Sequence, residues 1–235
     1  MVKCWNHRMV PEQALRKIIR AYKKVLLSRF ERCESLSEEQ AFKQYDFPTA
    51  LKKATLSKCP NGKRAFHQRR IPGNLLDHWY RCCGTVKARR GLLSAEKFNE
   101  IYYTLIEIRD GRELKGIGAL TVYDTALRIA FNRGRRLYPQ QVFLHAGSLV
   151  GARALLGQEN IRGKMVLSRL DFTGGSRIVW DEFMPHEIED FLCCCRRCFI
   201  AYSSGPRDTT EKRENLFWQF GGCGLAPCKK SGAEC

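Results

Sequence analysis

The chain is predicted to fold mostly as α-helix. Apolar residues recur at three- and four-residue spacing along most of its length, and proline and glycine punctuate that pattern at helix-length intervals. With 235 residues, 44% hydrophobic and 11% aromatic, there is enough apolar surface for a real core.

The elements follow in order. After Pro11, the stripe Leu15, Ile18, Ile19, Tyr22, Leu26, Phe30 and Cys33 alternates with Arg16, Lys17, Arg20, Lys23 and Lys24, which predicts a long amphipathic helix. Ser37-Glu-Glu-Gln40 reads as a capping box opening a short second helix. A third helix is expected from Thr49 to about Ser57, then a turn at Pro60-Asn61-Gly62. Lys58, Lys63, Arg64, Arg69 and Arg70 make 58–70 a basic loop, which also holds Phe66 and His67. Pro72 precedes a helix through Leu76, Trp79 and Tyr80 that Gly84 closes. Lys87–Arg90 reads as a short basic connector, and Ser94 as the cap of a helix striped by Phe98, Ile101, Tyr102, Leu105 and Ile108. Gly111 ends that helix, and another runs from Gly118 to Gly134. Val142-Phe-Leu-His-Ala146 enters a small-residue helix through Ala154. Residues 157–184 read as irregular with a short strand or two, and Pro185 starts a helix to about Phe199.

Charge narrows the partner. Lys and Arg total 41 against 24 Asp and Glu, a net of +17, and residues 1–90 hold +14 of it. A polarised basic globule suggests a polyanion, with nucleic acid ahead of a membrane surface. No apolar run approaches the ~20 residues of a membrane helix. The first ten residues, MVKCWNHRMV, lack the apolar centre of a secretory signal. A cytoplasmic monomer away from membranes is expected, and the twelve cysteines are expected as reduced thiols. Two cysteine pairs, Cys195 with Cys198 and Cys223 with Cys228, have spacings that four-thiolate zinc binding allows. Small core hydrophobes are the simpler reading of Cys193–Cys195, and no cofactor is expected.

The sharpest local signal lies in residues 95–133. One helix ends at Gly111, Leu114-Lys115-Gly116-Ile117-Gly118 turns, and a second helix begins. The glycines permit a tight backbone crossing, and Ile117 fills the gap between the helices. The second helix then presents backbone N–H groups and the positive end of its dipole, a phosphate site to which Lys115 and Thr121 add contacts.

This stretch resembles the helix-hairpin-helix motif of DNA repair proteins, in particular the DNA glycosylase superfamily that includes endonuclease III. The resemblance covers residues 95–155. The chain is also similar to a group of small bacterial proteins. They share His67-Gln-Arg-Arg-Ile-Pro72, Gly116-Ile-Gly with Leu120-Thr-Val-Tyr-Asp124, and Val142-Phe-Leu-His-Ala-Gly147. That likeness brings no activity with it. The superfamily implies a mostly α, glycosylase-like helical fold, double-stranded DNA as partner and excision of a flipped base. A modified, phage-type base would place the chain in antiviral defence. Division into a basic helical region (1–90), the hairpin region with a C-terminal helix (91–200) and a Cys/Gly-rich tail on the same globule (201–235) follows.

Site residues carry over by position. The superfamily's Asp, which stabilises the sugar cation, falls in a Val-Asp-Thr-His-like stretch. Here that stretch is Val142-Phe143-Leu144-His145, with Phe143 at the Asp position. The Lys of the bifunctional branch is replaced by Ala119-Leu120. Either a carboxylate comes from elsewhere or the protein only binds. Asp124 is the first substitute. A helical wheel sets it with Arg128 and Asn132 opposite Val122, Ala126, Ile129 and Ala130, so the plain alternative is an exposed Asp–Arg pair. His145 is a second catalytic candidate, or a helix cap. His67, Arg69, Arg70 and Arg153 complete the expected DNA contacts, and Phe66 or His67 suits a wedge into the duplex. A non-catalytic DNA-binding module and an RNA-binding protein are the competing readings.

Overall fold

A computed structural model describes residues 10–32, 38–65, 68–172, 180 and 183–204. It is mostly helical, with one two-stranded antiparallel sheet among the described residues. The helices are α1 (Glu12–Arg32), α2 (Glu38–Gln44), α3 (Phe47–Thr55), α4 (Gly73–Cys83), α5 (Val86–Ser94), α6 (Phe98–Gly111), α7 (Ala119–Arg133), α8 (Ala146–Leu156), α9 (Gln158–Ile161) and α10 (Pro185–Ser204). Strand β1 (Val142–Phe143) pairs with β2 (Val166–Leu167), Val142 opposite Leu167. The chain forms two compact units, residues 29–140 and residues 1–28 with 141–235. These boundaries differ from the composition-based ones at 90 and 200. None of the described helices is long and apolar enough to cross a membrane.

In the unit of residues 29–140, α7 is the central element. Nine of its fifteen residues are buried, from Thr121 to Phe131, and α2, α3 and α6 all pack on it. The helix ends are set locally. Asp46 caps α3 by accepting the Thr49 N–H at 2.8 Å, with Pro48 in the first turn. Thr85 caps α5 through the Ala88 N–H at 3.3 Å. The basic stretch Lys87–Arg90 is therefore the first half of a helix and not a connector, and Ser94 ends that helix instead of capping the next. Trp79 and Leu76 of α4 are buried, and Trp79 donates its indole N–H to Thr125 Oγ1 at 3.3 Å. Tyr123 meets Phe98 of α6 edge-on, centroids 5.7 Å apart.

The unit holding residues 141–204 is built on a close helix crossing. Gly147 and Gly151 lie one turn apart on α8 and face α10. A Cβ on Gly151 would overlap the backbone carbonyl of Leu192, and one on Gly147 would stand 2.5 Å from Cys193 Sγ. Around this crossing, Phe191 is ringed by Tyr22, Trp180, Phe183 and Phe199 at 5.2–5.9 Å. Tyr22, 1% exposed, donates its hydroxyl to Asp190 at 2.5 Å, which ties α1 to α10. Burial and the Asp190 charge push the Tyr22 phenol far above its ordinary range.

The α8–α10 crossing makes a direct prediction. Gly151→Ala places a methyl group against backbone and should destabilise this unit by about 1–3 kcal/mol. Gly111→Ala, at the open end of α6 where a Cβ meets nothing within 4 Å, should be neutral or slightly stabilising. Urea midpoints of the two variants check this, and equal midpoints would contradict the packing.

Candidate nucleic-acid interface

The α6–α7 hairpin forms as the glycine spacing predicts. The chain leaves α6 through Arg112 and Glu113, the latter in the left-handed region at φ 48°. Leu114 N–H returns to Arg109 O at 3.1 Å, and Ile117 N–H to Leu114 O at 3.0 Å. Leu114 and Ile117 are 5% and 3% exposed, so both apolar members of the turn point inward. Gly116 has φ +103°, and a Cβ there would meet Leu75 Cδ2 of α4 at 2.8 Å. The turn thus needs glycine for its backbone and for the approach of α4. Gly118 is the N-cap of α7, and the helix's first bond joins Val122 N–H to Gly118 O at 3.1 Å. The preceding N–H groups of Ala119, Leu120 and Thr121 are the donors a helix start leaves over. Gly118, Ala119, Gly116 and Lys115 are exposed. Thr121 is only 4% exposed and sits on the packed side of α7, so its side chain does not join that surface.

The basic loop is ordered by its own backbone around the expected turn. Cys59 N–H bonds Lys63 O and Ala65 N–H bonds Ser57 O, both at 2.8 Å, with Gly62 at φ +79°. Arg64 then reaches Ile71 O at 2.8 Å. Two contacts fasten the following segment to the hairpin. The side chain of Gln68, 2% exposed, donates to Asp124 Oδ2, and Leu75 touches Gly116. Asp124 lies six residues into α7 from Gly118, about 9 Å of helix rise. Arg69 and Arg70, both exposed, fall between these two anchors. The loop and the hairpin are therefore neighbours. His67 and Phe66 lie outside the described residues.

Asp124 is half-buried, and its surroundings correct the expectation of a solvated Asp–Arg pair. Arg128 is 4% exposed. Its Nε donates to Glu38 Oε1 of α2 at 2.8 Å, and it also interacts electrostatically with Asp124 and Cys59. Asn132, on the same edge, donates to Phe42 O and Tyr45 O at 2.9 and 2.7 Å. Helix α2 covers the edge that the wheel assigns to solvent. Burial raises the Cys59 thiol, Glu38 and Asp124 add to the rise, and Arg128 and Arg69 oppose it. Glu38, Cys59, Gln68, Arg69, Asp124 and Arg128 thus form one polar cluster beside the hairpin. Sequence reasoning does not single out Gln68, Cys59 or Glu38. Gln68 stands inside the His67–Pro72 stretch, and Glu38 inside the capping box.

The remaining candidates lie in the other unit. His145 is 5% exposed at the N-cap of α8, where Ser148 Oγ accepts its backbone N–H at 2.9 Å. Its backbone thus holds the N-cap position of α8. Phe143 is 4% exposed in β1. Arg153 is exposed on α8. Cys195 and Cys198 are 1% and 8% exposed within the apolar core, while Cys223 and Cys228 lie outside the described residues. Among the described residues no group of three metal-ligating side chains occurs.

No protein-family model, curated protein or solved structure matches this chain.

Proposed function

We propose that residues 29–140 bind duplex DNA through the α6–α7 hairpin and the adjoining basic segment. One observation carries this reading: the exposed start of a fifteen-residue helix and the exposed Arg69 and Arg70 are fastened together by Gln68–Asp124 and Leu75–Gly116. Backbone N–H groups and the helix dipole hold one phosphate, and the arginines and Lys115 neutralise its neighbours. This unit carries 22 Lys and Arg against 12 Asp and Glu, a net of +10, which favours a polyanion over its whole surface.

Base excision follows as the activity. A flipped nucleotide brings its sugar towards Asp124. The bond between C1′ and the base nitrogen breaks with its electron pair leaving on the base; water adds to C1′, and the proton it gives up ends on the departed base nitrogen. The Asp124 carboxylate stabilises the positive charge that develops on the sugar. Gln68 holds that carboxylate in one orientation through its amide donor. The buried Phe143 at the superfamily's Asp position favours a second reading, a module that binds DNA without excising.

Three outcomes are expected. Gly116→Val with Gly118→Val should weaken binding to duplexes of any sequence by on the order of tenfold, because phosphate contacts carry no base information. Anisotropy on two unrelated duplexes, with circular dichroism to verify folding, reads this, and unchanged affinity removes the hairpin from the interface. Arg69→Ala with Arg70→Ala should lower the slope of log affinity against log salt by about 0.9 for each phosphate that the variant no longer neutralises. An unchanged slope assigns the two arginines to plain surface, and stronger competition by RNA than by duplex DNA replaces the DNA reading. Asp124→Asn should leave affinity within a few-fold and cut excision by about 100-fold, since a preorganised carboxylate acts on the transition state. Alkali-revealed strand breaks across a panel of modified bases measure this. No breaks with the wild-type chain favour the binding module.

A further inference from the structure

The unit of residues 29–140 leaves three large apolar side chains exposed among the described residues, and all three stand on α5 and α6: Val86 at 76%, Tyr103 at 57% and Leu93 at 45%. The two helices pack side by side, and a Cβ on Gly91 of α5 would stand 3.5 Å from Thr104 Cγ2 of α6. Residues 95–97 alone join them, so they run antiparallel. On α5, Ala88 and Leu92 are buried, and a helical wheel sets Val86, Arg90 and Leu93 on the opposite side, with Lys87 and Arg89 at its margins. On α6, Glu100 and Glu107 stand three residues before and four after Tyr103, so they share its face. Glu100 accepts the Glu96 backbone N–H at 2.7 Å. Lys87, Arg89, Arg90, Glu100 and Glu107 are all exposed, and none is in an ion pair with another described residue. A cationic strip on α5 thus adjoins an anionic strip on α6, with exposed apolar side chains in both.

We propose that the α5–α6 face binds a second copy of the same chain, in place of the monomer expected from sequence. A two-fold axis running along the helices lays α5 of each copy over α6 of the other. Gly91 and Thr104 mark one level of the antiparallel pair. Arg90 therefore comes level with the partner subunit's Tyr103 and the partner subunit's Glu107, and Leu93 with the partner subunit's Tyr103. Unlike charges meet twice, once on each side of the axis, and the apolar residues lose water between them. Other occupants match only half of the face. Glu100 and Glu107 repel the phosphates of a nucleic acid or of an anionic lipid surface, which the α5 cations alone would attract. An acidic peptide satisfies α5 and is repelled by α6. The face is small, since helices of 9 and 14 residues side by side present an area about 20 Å square. That lies at the low end for a specific interface, so the dimer is weak and concentration-dependent. The proposal does not rest on the duplex-binding reading, which uses the hairpin and the 58–70 loop.

Sedimentation equilibrium of the full chain tests this, over a concentration series reaching the sub-millimolar range and under reduction, so that none of the twelve cysteines cross-links copies. Reversible monomer–dimer association is expected, and it should weaken as salt screens the paired charges. Arg90→Glu and Glu107→Arg change exposed positions, so each variant keeps the fold, which circular dichroism verifies. Each alone should weaken self-association by about tenfold or more, because like charges then meet at both contacts. Mixed in equal amounts, the two should associate as a heterodimer with the wild-type affinity, since both contacts again join unlike charges. Val86→Ser, which removes apolar surface and no charge, should weaken the dimer a few-fold. A chain that stays monomeric throughout overturns the proposal. So does a dimer that both charge reversals leave unchanged, or a pair of variants that stay apart when mixed. Uptake of a monomeric wild-type chain by phosphatidylserine vesicles or by a short duplex, abolished in Arg90→Glu, also overturns it and gives the face to a membrane or to nucleic acid. Failure of the dimer leaves the duplex-binding reading standing, because the hairpin variants are scored on duplex affinity alone.

Discussion

Residues 29–140 are organised around the burial of one charge. The Arg128 guanidinium lies inside the packing of α7, where an unpaired charge is costly enough that the surrounding chain has to answer it. Glu38 answers from α2, ninety residues earlier in sequence, and Asp124 from one turn back on the same helix. Asn132 extends the seam by holding the carbonyls of Phe42 and Tyr45. Helix α2 is therefore docked on α7 by polar bonds along one edge, with Phe42 and Ala41 buried beside them. Gln68 brings the 58–70 loop to the same place by bonding Asp124.

This arrangement decides where the exposed features go. With α2, α3 and α6 on its flanks, α7 keeps its start fully exposed, at Gly118 and Ala119, and leaves Asp124 half-buried on its side. The hairpin holds that start outward because Leu114 and Ile117 turn in and Gly116 lets Leu75 approach. The other unit solves its packing differently. Gly147 and Gly151 let α8 and α10 touch almost backbone to backbone, and a cluster of aromatic rings fills the rest. An ion pair with one member buried fixes which groups meet and brings further polar atoms that need partners. A glycine crossing brings none of its own, because it is made of backbone already bonded within each helix.

Much of the fold is legible in the residues because it is local. The α6 stripe, Gly111, the inward Ile117 and the Gly134 stop are all signals within a few residues of what they control, and the structure places each where the spacing puts it. The Pro60-Asn61-Gly62 turn is of the same kind. Helix α5 escapes a periodicity reading because only Ala88 and Leu92 are buried, too few to show a period, while Thr85 holds the cap signal. The Arg128 edge misleads for another reason. A helical wheel sorts polar residues outward, and it has no knowledge of a second helix bringing a carboxylate to meet them. Glu38 and Gln68 are separated from their partners by 90 and 56 residues, so no spacing rule joins them.

The same neighbours also set what a carboxylate at position 124 does beside a polyanion. Alone, Asp124 would repel any phosphate brought to the start of α7, as the proposed reading requires. Arg128, buried and permanently charged, offsets that repulsion from the protein side, where no phosphate reaches it. The offset is incomplete, because Glu38 already shares the guanidinium at 2.8 Å. A carboxylate with part of its charge uncompensated, held by the Gln68 amide and half-shielded from solvent, suits a positive charge that appears only briefly at short range. In the proposed reading the phosphates would be met a helix turn or more away, at the exposed start of α7. That separation along α7 is what would let one short helix, in the proposed reading, favour an anion at its end and a cation on its side.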